Sequence, residues 1–155
     1  MKELIIFFSY QLASLAQDGR IISQASYHIA DSSIKQWQKT VPDLSSLLNS
    51  INIYSIAYSS DGLKVTGYFS EPKKEGKYPV IIYNRGGNRN FGALSDGQII
   101  RILSIVSSWG YICIASQYRG NGGGQGREEF GGEEVHDILN LIPCLNAIKK
   151  ADTSR

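Results

Sequence analysis

The chain has 155 residues, 42% of them hydrophobic and 19% charged, which excludes a disordered or fibrous polymer and leaves room for one domain with its own core. The 16 Lys and Arg stand against 14 Asp and Glu, and no stretch gathers the cations into a patch, so nucleic acid is not an implied partner. Cys113 and Cys144 lie in apolar runs and read as buried thiols, not as a disulfide framework or zinc ligands.

In chain order, Leu4–Phe8 and Leu12–Ala16 make an apolar start too short to span a bilayer, so no membrane span is expected. Small residues at Ser14 and Ala16 suit cleavage before Gln17. Residues 1–16 therefore read as a signal peptide, with a short N-terminal helix as the alternative. The compartment is secreted or periplasmic on the first reading and cytoplasmic on the second. Residues 17–50 read as a helical or irregular segment. Ile34, Trp37, Val41, Leu44, Leu47 and Leu48 recur at helical spacing, which predicts one or two short helices broken at Pro42, with Asp43 placed to cap the second.

From Ile51 the pattern changes to alternation. Ile51–Tyr58 and Leu63–Phe69 flank Asp61-Gly62, the signature of a β-hairpin. Pro79–Tyr83 is continuously apolar, as expected of a strand buried on both faces of a mostly parallel sheet. A Gly-rich turn, Asn84–Asn88, leads to a helical pattern from about Ser95 to Trp109, ended by Gly110. Tyr111–Ala115 is a second buried strand. A long Gly-rich loop, Arg119–Gly132, opens into a helical pattern over 133–149 that Pro143 should kink or divide. Hairpin, strand, helix, strand, helix is an α/β order.

Three segments carry a resemblance. Tyr78–Gly87 resembles the strand and oxyanion loop of serine hydrolases of the prolyl-oligopeptidase family. Gln117–Gly123 is similar to that family's Arg-Gly-rich loop after the next sheet strand. Glu129–Glu134 followed by Asp137-Ile138-Leu139 is similar to its approach to the helix before the nucleophile. The resemblance implies that residues 51–155 are an incomplete α/β-hydrolase domain: a partial sheet built from an antiparallel hairpin plus parallel strands with flanking helices. It also implies that a strand ending in Gly-x-Ser-x-Gly comes next, followed by the acid and the His. No Gly-x-Ser-x-Gly occurs in the 155 residues. Neither His28, in an irregular region, nor His136, on a helix, stands in a setting that makes it a base. The chain is therefore expected to lack all three catalytic groups and to be inactive alone, with a non-catalytic pseudo-hydrolase or binding module as the alternative.

The site residues singled out are Arg85, Gly86 and Gly87, as oxyanion-hole or substrate-binding candidates. Paired glycines after a buried strand let the backbone turn sharply and aim an N–H at a reacting carbonyl. Arg85 replaces the Tyr or His common in the family. It could donate to an oxyanion, grip a carboxylate or make a structural salt bridge. The implied substrate of a complete protein is a peptide or ester, and no cofactor or metal is expected. Gly120–Gly126 does not fit Gly-x-Gly-x-x-Gly, because position 125 is Gln, so nucleotide binding is disfavoured. An apolar 79–83 strand lacking its family neighbour would be an edge open to self-association.

Overall fold

The computed structural model describes residues 17–154; the expectations for residues 1–16 lie outside them. Asp61 and Gly62 both adopt left-handed backbone angles, φ 52° and 72°. A two-residue turn between right-twisted antiparallel strands requires this. The turn joins β2 (Ile51–Ser60) to β3 (Leu63–Pro72), which pair in unbroken register from Ser60–Leu63 to Ile51–Pro72. β5 (Ile112–Ser116) pairs antiparallel with β3 and parallel with β4 (Val80–Ile82).

One strand departs from the sequence expectation for residues 17–50. β1 (Ile21–Ser26) pairs antiparallel with β2, giving the sheet order β1-β2-β3-β5-β4. Residues Ile22–Ser26 of this edge strand are exposed, so the strand carries no buried-face alternation. The two helices expected nearby are α1 (Asp31–Trp37) and α2 (Leu44–Ser50). Asp43 holds the N-cap position of α2, but its side chain makes no capping hydrogen bond.

β5 supplies the spine. Ile112 and Ile114 point into one core with Tyr58, Val65, Phe69, Leu141 and Cys144, while Cys113 and Ala115 point into another with Leu94 and Leu103. Period-two side chains buried on both faces are what a central strand demands. One face is covered by α5 (Glu134–Leu139), α6 (Leu141–Cys144) and a 3₁₀ turn, Leu145–Ala147. The expected long helix is thus divided at Asn140. Pro143 falls in the first turn of α6, where its missing N–H costs nothing.

The other face is covered by a continuous helical run. It comprises α3 (Asp96–Gln98), a π-helical stretch Ile99–Ser104 and α4 (Ile105–Ser108). Within it Ser70 Oγ donates to the Leu103 carbonyl at 2.8 Å. A third core joins Ile99 and Ile100 to Leu44, Ile51 and Ile53.

β4 differs from the fully buried strand expected at 79–83. It lies at the sheet edge, and Ile81 is 39% exposed. The Tyr78 amide donates to the Lys150 carbonyl (2.9 Å) and the Asp152 amide to the Tyr78 carbonyl (2.8 Å), a single parallel bridge, Tyr78–Ala151, on the open side of β4. Lys77 and Lys150 hold this crossing in place. Lys77 Nζ donates to the Lys149 and Ala151 carbonyls, and Lys150 Nζ to those of Pro72, Lys73 and Lys74.

Candidate active site

Where β4 ends, the chain must turn back to reach α3, and two glycines make the turn. Gly87 (φ 84°) and Gly92 (φ 82°) are left-handed. A Cβ on Gly87 would sit 2.2 Å from the Phe91 carbonyl oxygen, and one on Gly92 would strike the Gly86 carbonyl. The loop is therefore closed on itself with no room for side chains at those two points. Gly86 differs, since a Cβ there would meet nothing within 4 Å. Among the described residues, no hydrogen bond uses the amide of Gly86 or of Gly87.

These residues border a cavity of about 490 Å³ between the loop and α5, also lined by Tyr118, Glu128, Phe130, Val135, Ile138 and Leu139. The sequence-predicted trio Arg85, Gly86 and Gly87 is thus brought to one cavity wall.

Arg85 itself is turned inward. It is 4% exposed, and its guanidinium lies 4.5 Å over the Tyr118 ring. Nε donates to the Gln117 carbonyl (3.0 Å), and an Nη pairs with Glu128 Oε2 (2.8 Å). Of the alternatives open in the sequence, the structure realises the buried salt bridge. The same Glu128 oxygen accepts from the Arg89 amide and from Asn121 Nδ2, each at 2.8 Å. Gln117 adds a two-point clamp, its side-chain amide bonding both the N–H and the C=O of Leu94 at 3.0 Å.

Tyr118 follows β5 with φ 65°, a conformation that costs a non-glycine residue. Its hydroxyl donates to the Arg85 carbonyl at 3.0 Å. Burial raises the Tyr118 phenol, with Arg85 partly offsetting it, so the residue stays a neutral donor. Glu128, Gln117 and the left-handed Tyr118 were not singled out by sequence reasoning. Gln117 and Tyr118 fall in a segment that resembled a family loop, but nothing local marks a glutamate eleven positions past Gln117 as a partner for Arg85.

The loop's far side is anchored by Arg119. Its amide and guanidinium bond the fully buried Asp137 carboxylate at 2.7 and 2.9 Å, and the guanidinium reaches Asp61 on the hairpin turn at 2.6 Å. Burial opposes the Arg119 charge, but Asp137 and Asp61 more than restore it, so its pKa is raised. Asp61 also holds His136 Nδ1 at 2.8 Å. His136, Asp61 and Glu133 bring metal-ligand atoms within 4.8 Å of one another. The shared Asp61 oxygen is already held by the Arg119 cation, which disfavours a metal there. At the start of α5, burial pushes the Glu134 carboxyl up. Backbone amides, that of Gly131 first, outweigh this and hold it below the usual range.

No family model matches the chain. Over 95 residues, 61% of the chain, it is 40% identical to the uncharacterized peptidase YtmA of Bacillus subtilis (strain 168). The chain spans 35% of that protein's length. Among solved structures, it superposes on a Legionella pneumophila protein named as a hydrolase with TM-score 0.53, 17% identity, and 83% of this chain on 40% of that one. It superposes on the esterase Est22 with TM-score 0.55, 14% identity, and 83% on 45%. Sheet order, flanking helices and these likenesses agree: the chain has part of the α/β-hydrolase fold, similar to a protein named as a hydrolase, an esterase and a peptidase.

Proposed function

We propose that this chain forms the front of the active site of a prolyl-oligopeptidase-type serine hydrolase, with the nucleophilic Ser, the acid and the His carried by sequence outside these 155 residues. The observation that carries the reading is that Gly86 and Gly87 line the same cavity and that, among the described residues, no hydrogen bond uses their amides. In acyl transfer the nucleophile adds to an ester or peptide carbonyl, and negative charge collects on its oxygen. Each fixed donor aimed at that oxygen is worth about 3 kcal/mol of transition-state stabilisation. A donor already bonded within the fold could not serve.

Two further features support the reading. The Tyr78–Ala151 bridge opens a parallel pairing on the free side of β4, where a nucleophile-bearing strand would lie. The apolar side chains of Val135, Leu139 and Ile142 on α5 and α6 are exposed, as a surface awaiting a helix would be. On this reading the 155-residue chain has no activity of its own.

The test is a fluorophosphonate probe with an activated ester. The isolated chain is expected to take no label and to hydrolyse nothing, while the product of the same gene including any sequence after codon 155 is labelled on a Gly-x-Ser-x-Gly serine. Labelling of any serine within residues 1–155 would overturn the proposal.

A further inference from the structure

We infer that Glu128 is the positioning residue of the oxyanion loop, acting through Arg85, and that Arg85 therefore does not meet the substrate. The inference rests on the hydrolase reading for its functional meaning and on geometry for its substance. One oxygen of Glu128 gathers donors from two separate loops: the Arg85 guanidinium and the Arg89 amide from the turn after β4, and Asn121 Nδ2 from the loop after β5. The two side chains of the pair are 1% and 3% exposed. A buried charge pair of this kind is costly to break, because the survivor is left uncompensated.

Arg85 and Arg89 bracket the two glycines that line the cavity and whose amides no described hydrogen bond uses. Holding the residues on either side fixes where those amides point. Every guanidinium contact of Arg85 is internal: Gln117 O, Glu128, the Phe91 carbonyl at 3.4 Å and the Tyr118 face. A substrate carboxylate would have to displace Glu128 to reach it. The loop therefore presents neutral backbone donors, suited to an uncharged ester or amide carbonyl.

Hydrogen exchange on the 155-residue chain tests the positioning without needing activity. Glu128→Gln is close in size and keeps an acceptor oxygen but loses the charge. Arg85→Lys keeps the charge but loses the fork. Both are expected to speed exchange at the hydrogen-bonded amides of this loop, Arg89 and Phe91, by about tenfold or more while leaving the β2–β3 amides within about twofold, the mark of a local opening. The β2–β3 amides also report whether a variant is folded at all. Wild-type exchange rates at Arg89 and Phe91 in both variants would overturn the inference.

In any product of the gene that extends past codon 155, Glu128→Gln should lower kcat on a neutral activated ester with KM nearly unchanged, since a misaimed donor weakens transition-state binding only. Unchanged kcat alongside faster exchange would also overturn it. Faster exchange in a protein whose unsubstituted form never labels or turns over would leave the clamp standing and sink the hydrolase reading instead.

Discussion

Gly86 and Gly87 are neighbours with unequal demands. Gly87→Ala must place a Cβ 2.2 Å from the Phe91 carbonyl at φ 84°, whereas Gly86→Ala meets open space. The first is expected to cost about 1–3 kcal/mol and the second close to nothing, read from urea midpoints. Equal losses would mean that the loop is not closed as described. His136 offers a second residue-scale expectation. The Asp61 hydrogen bond and charge raise its pKa above the ordinary 6.5. Its contribution to stability is therefore complete below 6.5 and is lost as pH rises through the raised, folded-state value. The urea midpoints of wild type and His136→Asn should differ most in acid and converge in alkali. A gap that widened with pH would contradict the pairing. At this scale the sequence was legible where backbone chemistry dictates the residue, as at Asp61-Gly62 and Gly87. It singled out Arg85 but was silent on Glu128 as its partner, because a contact across 43 positions leaves no local mark.

Elements were legible in proportion to how much apolar surface they bury. The hairpin and β5 stand out because their side chains fill a core, and Pro143 foretold a division of the 133–149 pattern. β1 escaped notice because an edge strand with exposed residues looks like any polar stretch. Between elements, the join most dependent on one residue is Asp137 on α5. It is fully buried and accepts from Ser60 of β2, from the Arg119 amide and from the Arg119 guanidinium. Asp137→Ala strands a buried cation and leaves two donors unmet, so a loss of about 3 kcal/mol or more is expected in equilibrium unfolding. A loss under about 1 kcal/mol would show that Asp61 alone can hold Arg119.

For the whole molecule, the open side of β4 is the feature with the widest reach. Among the described residues its run Val80-Ile81-Ile82 has a hydrogen-bonded neighbour strand on one side only, and apolar edges of this kind recruit other chains. The 155-residue chain is expected to associate with rising concentration in sedimentation velocity. Ile81→Lys, a charge on the edge, should shift it towards monomer. A wild type that stays monomeric at high concentration would refute that expectation. The strand itself was legible as a strand; its partial exposure was not, because an apolar run does not say whether its second neighbour is present.

The two thiols give the fold a pair of independent clocks. Burial pushes both Cys113 and Cys144 up to about 12, so neither reacts readily while the protein is closed. Cys144 sits in the core beneath α6, and Cys113 in the core beneath the π-helical run, on opposite sides of the sheet. Pulsed alkylation therefore times the detachment of each helical layer separately. Equal rates would mean that the layers leave together, and unequal rates would name the one that peels away first.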